Sequence, residues 1–291
     1  MPRGVRILLV LALTLVAVLG GFSWVVGGEL FAPVPRSVGA APSSLGVENV
    51  TFQSASGSLV HGWFATGMKG QGAVLLLHGV RGDRRDMLSR ASFLHDLGYS
   101  VLLIDFQAHG ESPGDRITFG DRESRDVVAA LAYLQHRAPC ERLGVIGVSL
   151  GAAAFVLAEG RPPVNAVVLE SMYPTIEQAV TDRLRLHLGA VGPVFAPLLM
   201  VQIRSRLGTS AERLRPIDRI GSIRAPVLIL NGTRDQHTTL EEAHALFAAA
   251  HPPKTFWAVE GAAHVNLHTY AKVEYEHRIA AFLGALLRSQ E

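Results

Sequence analysis

Cysteine is nearly absent from this chain, which has 291 residues and a single cysteine, Cys140. One cysteine cannot form an intrachain disulfide framework or a cysteine zinc cluster. No histidine-bearing motif surrounds Cys140, so we expect it to pack and not to react. Low-complexity tracts are also absent, and 48% of the residues are hydrophobic. This composition predicts one large folded domain and not two small ones.

An excess of charge is absent as well, because the formal net charge is only +2. Arg3 and Arg6 account for it, since residues 1–28 hold no acidic residue. Without these two, the 27 basic residues become 25 and equal the 25 acidic residues. A neutral domain offers no basic face to a nucleic acid or an anionic lipid. We therefore predict no nucleic-acid partner.

The one long hydrophobic run lies at the N-terminus, where Arg3 and Arg6 precede the uncharged residues 7–28. A membrane-spanning helix needs about 20 apolar residues, whereas the apolar core of a secretory signal has about 7–15. We therefore predict that residues 1–28 form an uncleaved signal anchor. The basic residues before it place the rest of the chain on the extracytoplasmic side. The alternative is secretion after signal cleavage, for which residues 38–40 offer a site far beyond the apolar core.

Apolar runs alternate with helical patterns after residues 29–47, which hold three prolines and which we interpret as a linker. Several runs are almost continuously apolar, as in parallel strands that are covered on both faces. Residues 48–291 are therefore predicted to form a mostly parallel, eight-stranded sheet with helices on both faces and a hairpin at one edge. The predicted strands are 48–53, 59–65, 73–77, 100–104, 143–146, 166–169, 227–230 and 255–259, and the predicted helices are 83–97, 122–137, 150–159, 239–250 and 270–287.

The alternation breaks at residues 172–220, which have helical patterns but no strand. They enclose the uncharged residues 188–203, whose glycines and prolines make that stretch too interrupted to span a bilayer. One interpretation is a pair of helices that only packs on the core. We favour a helical cap over the functional site, with an apolar inner face for an acyl group, because the insertion leaves the edge at which α/β sheets bind ligands.

The sequence GVSLG at residues 147–151 lies between a predicted strand and a helical pattern. A G-x-S-x-G sequence in that context is typical of a nucleophile elbow, where small neighbours make room for a strained serine backbone. The helix N-terminus behind the serine stabilises developing negative charge. An ordinary Gly/Ser turn explains the pentapeptide equally well by itself. We predict Ser149 as the nucleophile because other parts of the sequence supply a base, an acid and oxyanion donors for it.

Two of these residues follow later strands in the order that such a sheet requires. A serine hydroxyl needs a base to take its proton, and the base needs an acid to hold it. Asp235 follows the strand at 227–230 and His264 follows the strand at 255–259, which is the order Ser, Asp, His. We predict Asp235 as the acid and His264 as the base.

The turn after the strand at 73–77 has the sequence His-Gly-Val-Arg-Gly at residues 78–82. A His-Gly turn at this place aims a backbone N–H at the nucleophile. We predict that the N–H groups of Val80 and Leu150 form an oxyanion hole, in which each donor is typically worth about 3–4 kcal/mol.

Other residues compete for these roles. Glu170 ends the sixth strand and competes for the acid, although we expect it to anchor the cap through a hydrogen bond. His268 competes for the base but lies further toward a helix than His264. Histidines at this spacing can also bind metal, but without a neighbouring HExxH glutamate or cysteine we predict no metal site. We interpret His109 and Asp105 as residues that organise a turn.

Together these motifs resemble those of the α/β-hydrolase family, over roughly residues 48–288, and most of all its serine-aminopeptidase-like and lysophospholipase-like branch. The resemblance implies Ser149, Asp235 and His264 as catalytic residues and no cofactor. One departure is Ala108, where this branch usually has glycine in a D-x-x-G-H-G-x-S sequence. A serine nucleophile argues against the dehalogenases and dienelactone hydrolases of the same fold. The matching segments are 78–79, 105–112, 147–151, 232–235 and 261–264.

We therefore predict a membrane-anchored serine hydrolase that cleaves a carboxylic ester, of a small molecule or a lipid-like substrate, through an acyl-enzyme. The apolar cap suits an acyl chain, and no acidic cluster indicates a pocket for an amino terminus. A serine aminopeptidase is the alternative, and it would need a carboxylate such as Glu170 in the pocket. A non-catalytic binding protein on the same fold also stays open, as does the oligomeric state.

Overall fold

Helices alternate with strands along most of the chain in the computed structural model, which describes residues 2–289. A 3-10 segment, Gly189–Phe195, joins the helices Ile176–Leu188 and Ala196–Leu207. The elements in chain order are α1 (Arg3–Phe31), β1 (Val34–Pro35), β2 (Glu48–Gln53), β3 (Leu59–Ala65), β4 (Ala73–Leu77), α2 (Leu88–Asp96), β5 (Ser100–Ile104), β6 (His109–Gly110), α3 (Glu123–Arg137), β7 (Leu143–Val148), α4 (Leu150–Leu157), β8 (Ala166–Glu170), α5 (Ile176–Leu188), α6 (Ala196–Leu207), β9 (Val227–Gly232), α7 (Leu240–Ala249), β10 (Lys254–Val259), α8 (Leu267–Tyr270) and α9 (Lys272–Leu287).

Eight strands form one sheet in the spatial order β10-β9-β8-β7-β4-β5-β3-β2. β3 is antiparallel to both β2 and β5, and the other pairs are parallel. The strands β4, β5, β8 and β9 are buried along their whole length, as their continuous apolar sequences predict. The predicted mostly parallel, eight-stranded sheet with an edge hairpin is confirmed.

The strand positions agree with the predicted ones to within two residues at either end. Sequence periodicity did not reveal a second, two-stranded sheet, in which Val34 pairs with His109 and Pro35 with Gly110. A pair of two-residue strands is too short to show an alternating pattern.

Apolar side chains from the helices cover both faces of the sheet. On one face, Leu131 of α3 and Phe155 of α4 pack against the strands. On the other face, Leu94 of α2 and Leu283 of α9 do so. The sheet is thus the middle of three layers, and its carboxyl edge stays open for a site.

Residues 171–226, between β8 and β9, contain helices and no strand. Thr175 caps α5, because its hydroxyl accepts a hydrogen bond from the Gln178 N–H at 3.1 Å. Ile176 at the start of α5 packs with Leu207 at the end of α6, so the two helices form an antiparallel hairpin. Gly192 lies against α5 so closely that a Cβ there would be 2.2 Å from the Leu184 carbonyl oxygen.

The N-terminal helix α1 extends three residues beyond residue 28, into the predicted linker. The next strand, β1, fixes the linker to the loop after β5, because it pairs with β6 and the Val34 N–H donates to the Ala108 carbonyl at 2.8 Å. Two helical stretches of the described chain are long and apolar enough to cross a membrane, Arg3–Phe31 and Ile176–Leu207. The second is the hairpin of α5 and α6, which turns back on itself at Gly189–Phe195.

Candidate active site

Ser149 occupies the sharp turn between β7 and α4, with a left-handed backbone at φ 50° and ψ −108°. A left-handed conformation is uncommon for a residue with a side chain and costs on the order of 1–3 kcal/mol. The turn needs small neighbours: a Cβ at Gly151 would be 2.5 Å from the Leu77 carbonyl oxygen, and one at Gly147 would be 2.7 Å from the Ala152 nitrogen. The sequence at residues 147–151 therefore has the geometry of an elbow.

Asp235 and His264 lie in the loops that follow the neighbouring strands β9 and β10. The His264 Nδ1 atom and the Asp235 Oδ2 atom are 2.7 Å apart, and Asp235 is buried while the His264 side chain is 25% exposed. Burial opposes ionisation of Asp235, but the hydrogen bond from His264 and the backbone N–H groups of His237 and Thr238 outweigh it and lower the pKa of Asp235. Asp235 is thus a charged group that holds the imidazole by Nδ1.

The carboxyl ends of β7, β9 and β10 lie at the same edge of the sheet, so Ser149, Asp235 and His264 all lie at that edge. Ser149 is 7% exposed, and its hydroxyl makes no hydrogen bond within residues 2–289. Hydrogen bonds between catalytic groups are often long when no substrate is bound. The Nε2 atom of His264 is the ring nitrogen that Asp235 leaves available.

The turn after β4 packs directly against the elbow. A Cβ at Gly79 would lie 3.7 Å from the Ser149 Cβ, and Val80 packs in one apolar cluster with Leu150. Neither the Val80 N–H nor the Leu150 N–H has an acceptor in the described part of the chain. Both amides are therefore available to an oxygen atom bound beside Ser149.

Two buried histidines, His78 and His109, hold this turn in place. The His78 Nδ1–H donates to the Gly79 carbonyl at 2.7 Å, and His109 Nε2 accepts from the Arg81 N–H at 3.1 Å. Burial lowers the pKa of each ring to about 4, so both are neutral at pH 7 and can accept a backbone hydrogen bond. The sequence indicated a turn role for His109 but not this pairing of two rings 5.2 Å apart.

A model described as the alpha/beta hydrolase family matches residues 74–278. The chain belongs to the α/β hydrolase family. The matched span contains Ser149, Asp235 and His264, and it ends within α9.

Several known proteins are similar to this α/β hydrolase. The uncharacterized protein Rv2307c of Mycobacterium tuberculosis is 32% identical over 237 residues, which are 80% of this chain and 76% of that protein. The alpha/beta hydrolase domain-containing protein WAV2 of Arabidopsis thaliana is 27% identical over 234 residues, 75% of this chain and 72% of that protein. The solved structure of the esterase Pf2001 of Pyrococcus furiosus has a TM-score of 0.70 and 25% identity, and the match covers 88% of this chain and 98% of that one. The family and these neighbours support a hydrolase.

The Glu170 carboxylate of this hydrolase is bound by side chains of α2 and α9. Its carboxylate accepts from Arg90 Nε at 3.0 Å and Nη2 at 2.6 Å, and from the Tyr275 hydroxyl at 2.5 Å. All three side chains are buried, as a desolvated ion pair with satisfied hydrogen bonds requires. Glu170 therefore joins β8 to α2 and α9. The expectation that it anchors the cap is wrong, because the partner with complementary charge comes from α2.

The other competing residues also have partners outside the candidate site. His268 Nε2 lies 2.9 Å from the Glu276 Oε1 atom, so a carboxylate on α9 holds this ring. Asp105 accepts from the Arg84 N–H at 2.7 Å and from the Glu111 N–H at 2.9 Å, and so organises the turn after β5. The described residues contain no group of three or more metal-ligating side chains.

Helix α5 brings charged residues to the candidate site that the sequence did not single out. The charges of Asp182 and Arg183 both act on Asp235, and the His237 ring lies 5.0 Å from the His264 ring. The helical patterns of residues 172–220 predicted an insertion near the site. A helical pattern does not show which of its charged residues faces the candidate site.

Proposed function

We propose that this α/β hydrolase is a serine hydrolase that cleaves a carboxylic ester of a small or lipid-like molecule through an acyl-enzyme. Ser149 is the nucleophile, His264 the base and Asp235 the acid. The observation that carries the proposal is the Asp235–His264 hydrogen bond of 2.7 Å beside a serine held in the left-handed elbow. A reactive serine needs both features.

The reaction has two steps. His264 Nε2 takes the Ser149 proton while Oγ attacks the ester carbonyl, and the N–H groups of Val80 and Leu150 stabilise the oxyanion. His264 then gives that proton to the leaving alcohol as the ester bond breaks. In the second step His264 takes a proton from water, the hydroxide attacks the acyl group, and the proton returns to Ser149 as the acid leaves.

Two observations favour an ester over an N-terminal peptide. The Pyrococcus furiosus protein of similar structure is an esterase, and Arg90 neutralises the Glu170 carboxylate that an aminopeptidase would use for an α-amine. Asp182, whose pKa the charge of Asp235 helps to raise, and Glu242, on which Asp182 acts, are carboxyl groups that support the aminopeptidase alternative. Burial raises the pKa of Glu242 to about 7, which weakens that support because a protonated carboxyl does not attract an ammonium group.

We further propose that α1 anchors the catalytic domain to the extracytoplasmic face of a membrane. Many of its large apolar side chains, such as Leu8, Leu13, Val18 and Phe22, are exposed, as expected of a helix in contact with lipid. Cleavage after residue 40 would remove the buried side chains of Phe31 and Val38 and the strand β1. This cost argues against the secreted alternative.

A panel of substrates tests the proposed reaction. Wild type should hydrolyse p-nitrophenyl esters and leave aminoacyl anilides intact, and Ser149→Ala should lose at least about 10⁴-fold in kcat. Ser222→Ala, which changes an exposed serine, is the matched control and should keep full activity. Cleavage of the anilides in preference to the esters would favour the aminopeptidase, and equal rates for wild type and Ser149→Ala would rule out the serine mechanism.

A further inference from the structure

The hairpin of α5 and α6 exposes large apolar side chains. Val194 is 74% exposed and Val201 72%, and residues 188–203 carry no charge. Soluble monomers rarely expose so many apolar groups in one place, and such a surface marks contact with a protein or a membrane. The exposed apolar side chains of the hairpin are Leu186, Leu188, Val191, Val194, Leu198 and Val201.

Helix α1 identifies which of these contacts is made, because it packs along α6. The Ser23 hydroxyl donates to the Leu198 carbonyl at 3.1 Å, and the Gln202 side-chain amide donates to the Ser23 carbonyl at 3.0 Å. Further along, Phe31 packs with Ile203 and Leu207. Later residues of α1 contact later residues of α6, so the two helices are parallel. The tip of the hairpin, which precedes α6, therefore points toward the N-terminal end of α1.

The length of α1 fixes the depth of the hairpin in a membrane. About 20 residues at 1.5 Å each cross the hydrocarbon core, and counted from Ile7, the first residue after Arg6, they end at Val26. Ser23 then lies about 4–5 Å inside the boundary, and Leu198 lies at the same level. The chain before Leu198 leads deeper, so Phe195, the last residue of the segment Gly189–Phe195, lies about 8–9 Å inside the boundary, within the 5–10 Å typical of interfacial helices.

Charged and aromatic residues mark the boundary at the expected level. The Arg206 guanidinium lies 4.0 Å from the Trp24 ring centroid and donates to the Trp24 carbonyl. Tryptophan and arginine are frequent at the interface between lipid and water. On the other arm of the hairpin, Arg185 and His187 precede the uncharged stretch. Basic residues thus flank the apolar tip on both sides.

We propose that the tip of the hairpin, residues 188–201, inserts into the outer leaflet of the lipid bilayer beside α1. This inference rests on the proposed anchoring by α1. A second protein is a less suitable partner for the apolar surface of the hairpin, because any group beside Ser23 lies at the depth of the lipid. Insertion also places the candidate active site near the membrane, since Phe31 contacts Phe119 with ring centroids 5.6 Å apart and Phe119 packs in the cluster of Val80 and Leu150.

Site-directed fluorescence on the full chain tests the insertion. Cys140 is exposed, so the expectation that it packs is wrong, and it is first replaced in Cys140→Ser. Single cysteines are then introduced in Val194→Cys at the tip, Val16→Cys in α1 and Val273→Cys on α9. Each carries an environment-sensitive fluorophore in phosphatidylcholine vesicles with or without doxyl-labelled lipid. We expect doxyl lipid to quench positions 194 and 16 at least about twofold and to leave position 273, where wild-type Val273 is 84% exposed, unaffected. Aqueous iodide should quench only position 273.

The outcomes separate this inference from the proposals on which it rests. Quenching of position 194 by iodide, with position 16 in lipid, overturns the insertion and leaves the anchor in place. Iodide quenching at both positions overturns the anchor and the insertion together. Protection of position 194 from both quenchers shows that protein covers the tip, such as a second copy of the chain, and overturns the insertion. Hydrolysis of a soluble p-nitrophenyl ester by the same samples reports on the hydrolase proposal independently.

Discussion

The hydrogen bond between Asp235 and His264 determines which nitrogen of the His264 ring carries a proton. Asp235 Oδ1 accepts from the backbone N–H groups of His237 at 2.8 Å and Thr238 at 3.0 Å, and Oδ2 accepts from His264 Nδ1 at 2.7 Å and from the Thr238 hydroxyl at 2.9 Å. An ionised carboxylate is an acceptor only, so His264 must carry its proton on Nδ1 and keep Nε2 free. This tautomer is the one that can accept the proton of Ser149.

Asp235→Asn should therefore reduce kcat by about 10⁴-fold while KM changes little, by analogy with the effect of this change in serine proteases. The backbone N–H groups would hold the amide oxygen of the asparagine, and its NH₂ group would donate to His264 Nδ1. The imidazole proton would then lie on Nε2, the wrong nitrogen. Steady-state hydrolysis of a p-nitrophenyl ester measures both constants.

The matched control for this substitution is Asp218→Asn, which changes an exposed aspartate that precedes β9 and lies outside the loops of the site. We expect it to keep wild-type activity. If a folded Asp235→Asn enzyme retained a tenth or more of the wild-type kcat, Asp235 would not be the acid of the triad.

Two carboxyl groups, one on α5 and one on α7, interact electrostatically. The charge of Asp182 on α5 acts on Glu242 of α7, whose Oε2 accepts from the Thr239 N–H at 2.9 Å in the capping box of α7. Burial, reinforced by the charge of Asp182, raises the pKa of Glu242 to about 7, and burial also raises the pKa of Asp182. Arg185 and Asp235 are the other charged groups that act on Asp182.

The raised pKa of Glu242 makes the stability of the fold depend on pH. The pKa of Glu242 rises on folding from its ordinary value of 4.5 to about 7, so the folded state binds the proton more tightly. Its contribution to stability is full below pH 4.5 and is lost as the pH rises through 7. Glu242→Gln keeps the capping oxygen and removes the charge. At pH 8 it should be more stable than wild type by about 1–2 kcal/mol after screening by water, or roughly 2–6 °C in Tm.

Thermal unfolding in detergent at pH 5 and pH 8 measures this difference. Glu241→Gln, on the same helix turn and exposed, is the control and should shift Tm equally at both pH values. An equal Tm difference between Glu242→Gln and wild type at pH 5 and pH 8 would contradict the account of the carboxyl pair.

At the scale of the whole molecule, the sequence predicts the parts of the fold that repeat locally. The strands were predictable because buried parallel strands are apolar along their length. The shared location of the loops of Ser149, Asp235 and His264 was predictable because the carboxyl ends of such strands meet at one edge. The elbow was predictable because only glycine leaves room at residues 147 and 151.

Pairings between distant residues were not predictable. Arg90 and Glu170 are 80 residues apart, and neither carries a local pattern that names its partner. The packing of α1 on α6 depends on Ser23 and Gln202, which are 179 residues apart. A tight ion pair or helix contact depends on three-dimensional position, and periodicity reports only which face of an element is apolar.

Covalent labelling of the full chain tests the central claim most directly. Wild-type protein is treated with a fluorophosphonate probe beside Ser149→Ala, and the modified peptide is located by mass spectrometry. We expect one adduct per chain, on Ser149, and none in Ser149→Ala, because the probe reacts only with a serine that a base activates. A folded wild-type protein with no adduct on Ser149, or equal labelling of the two proteins, would contradict the assignment of this chain as a serine hydrolase.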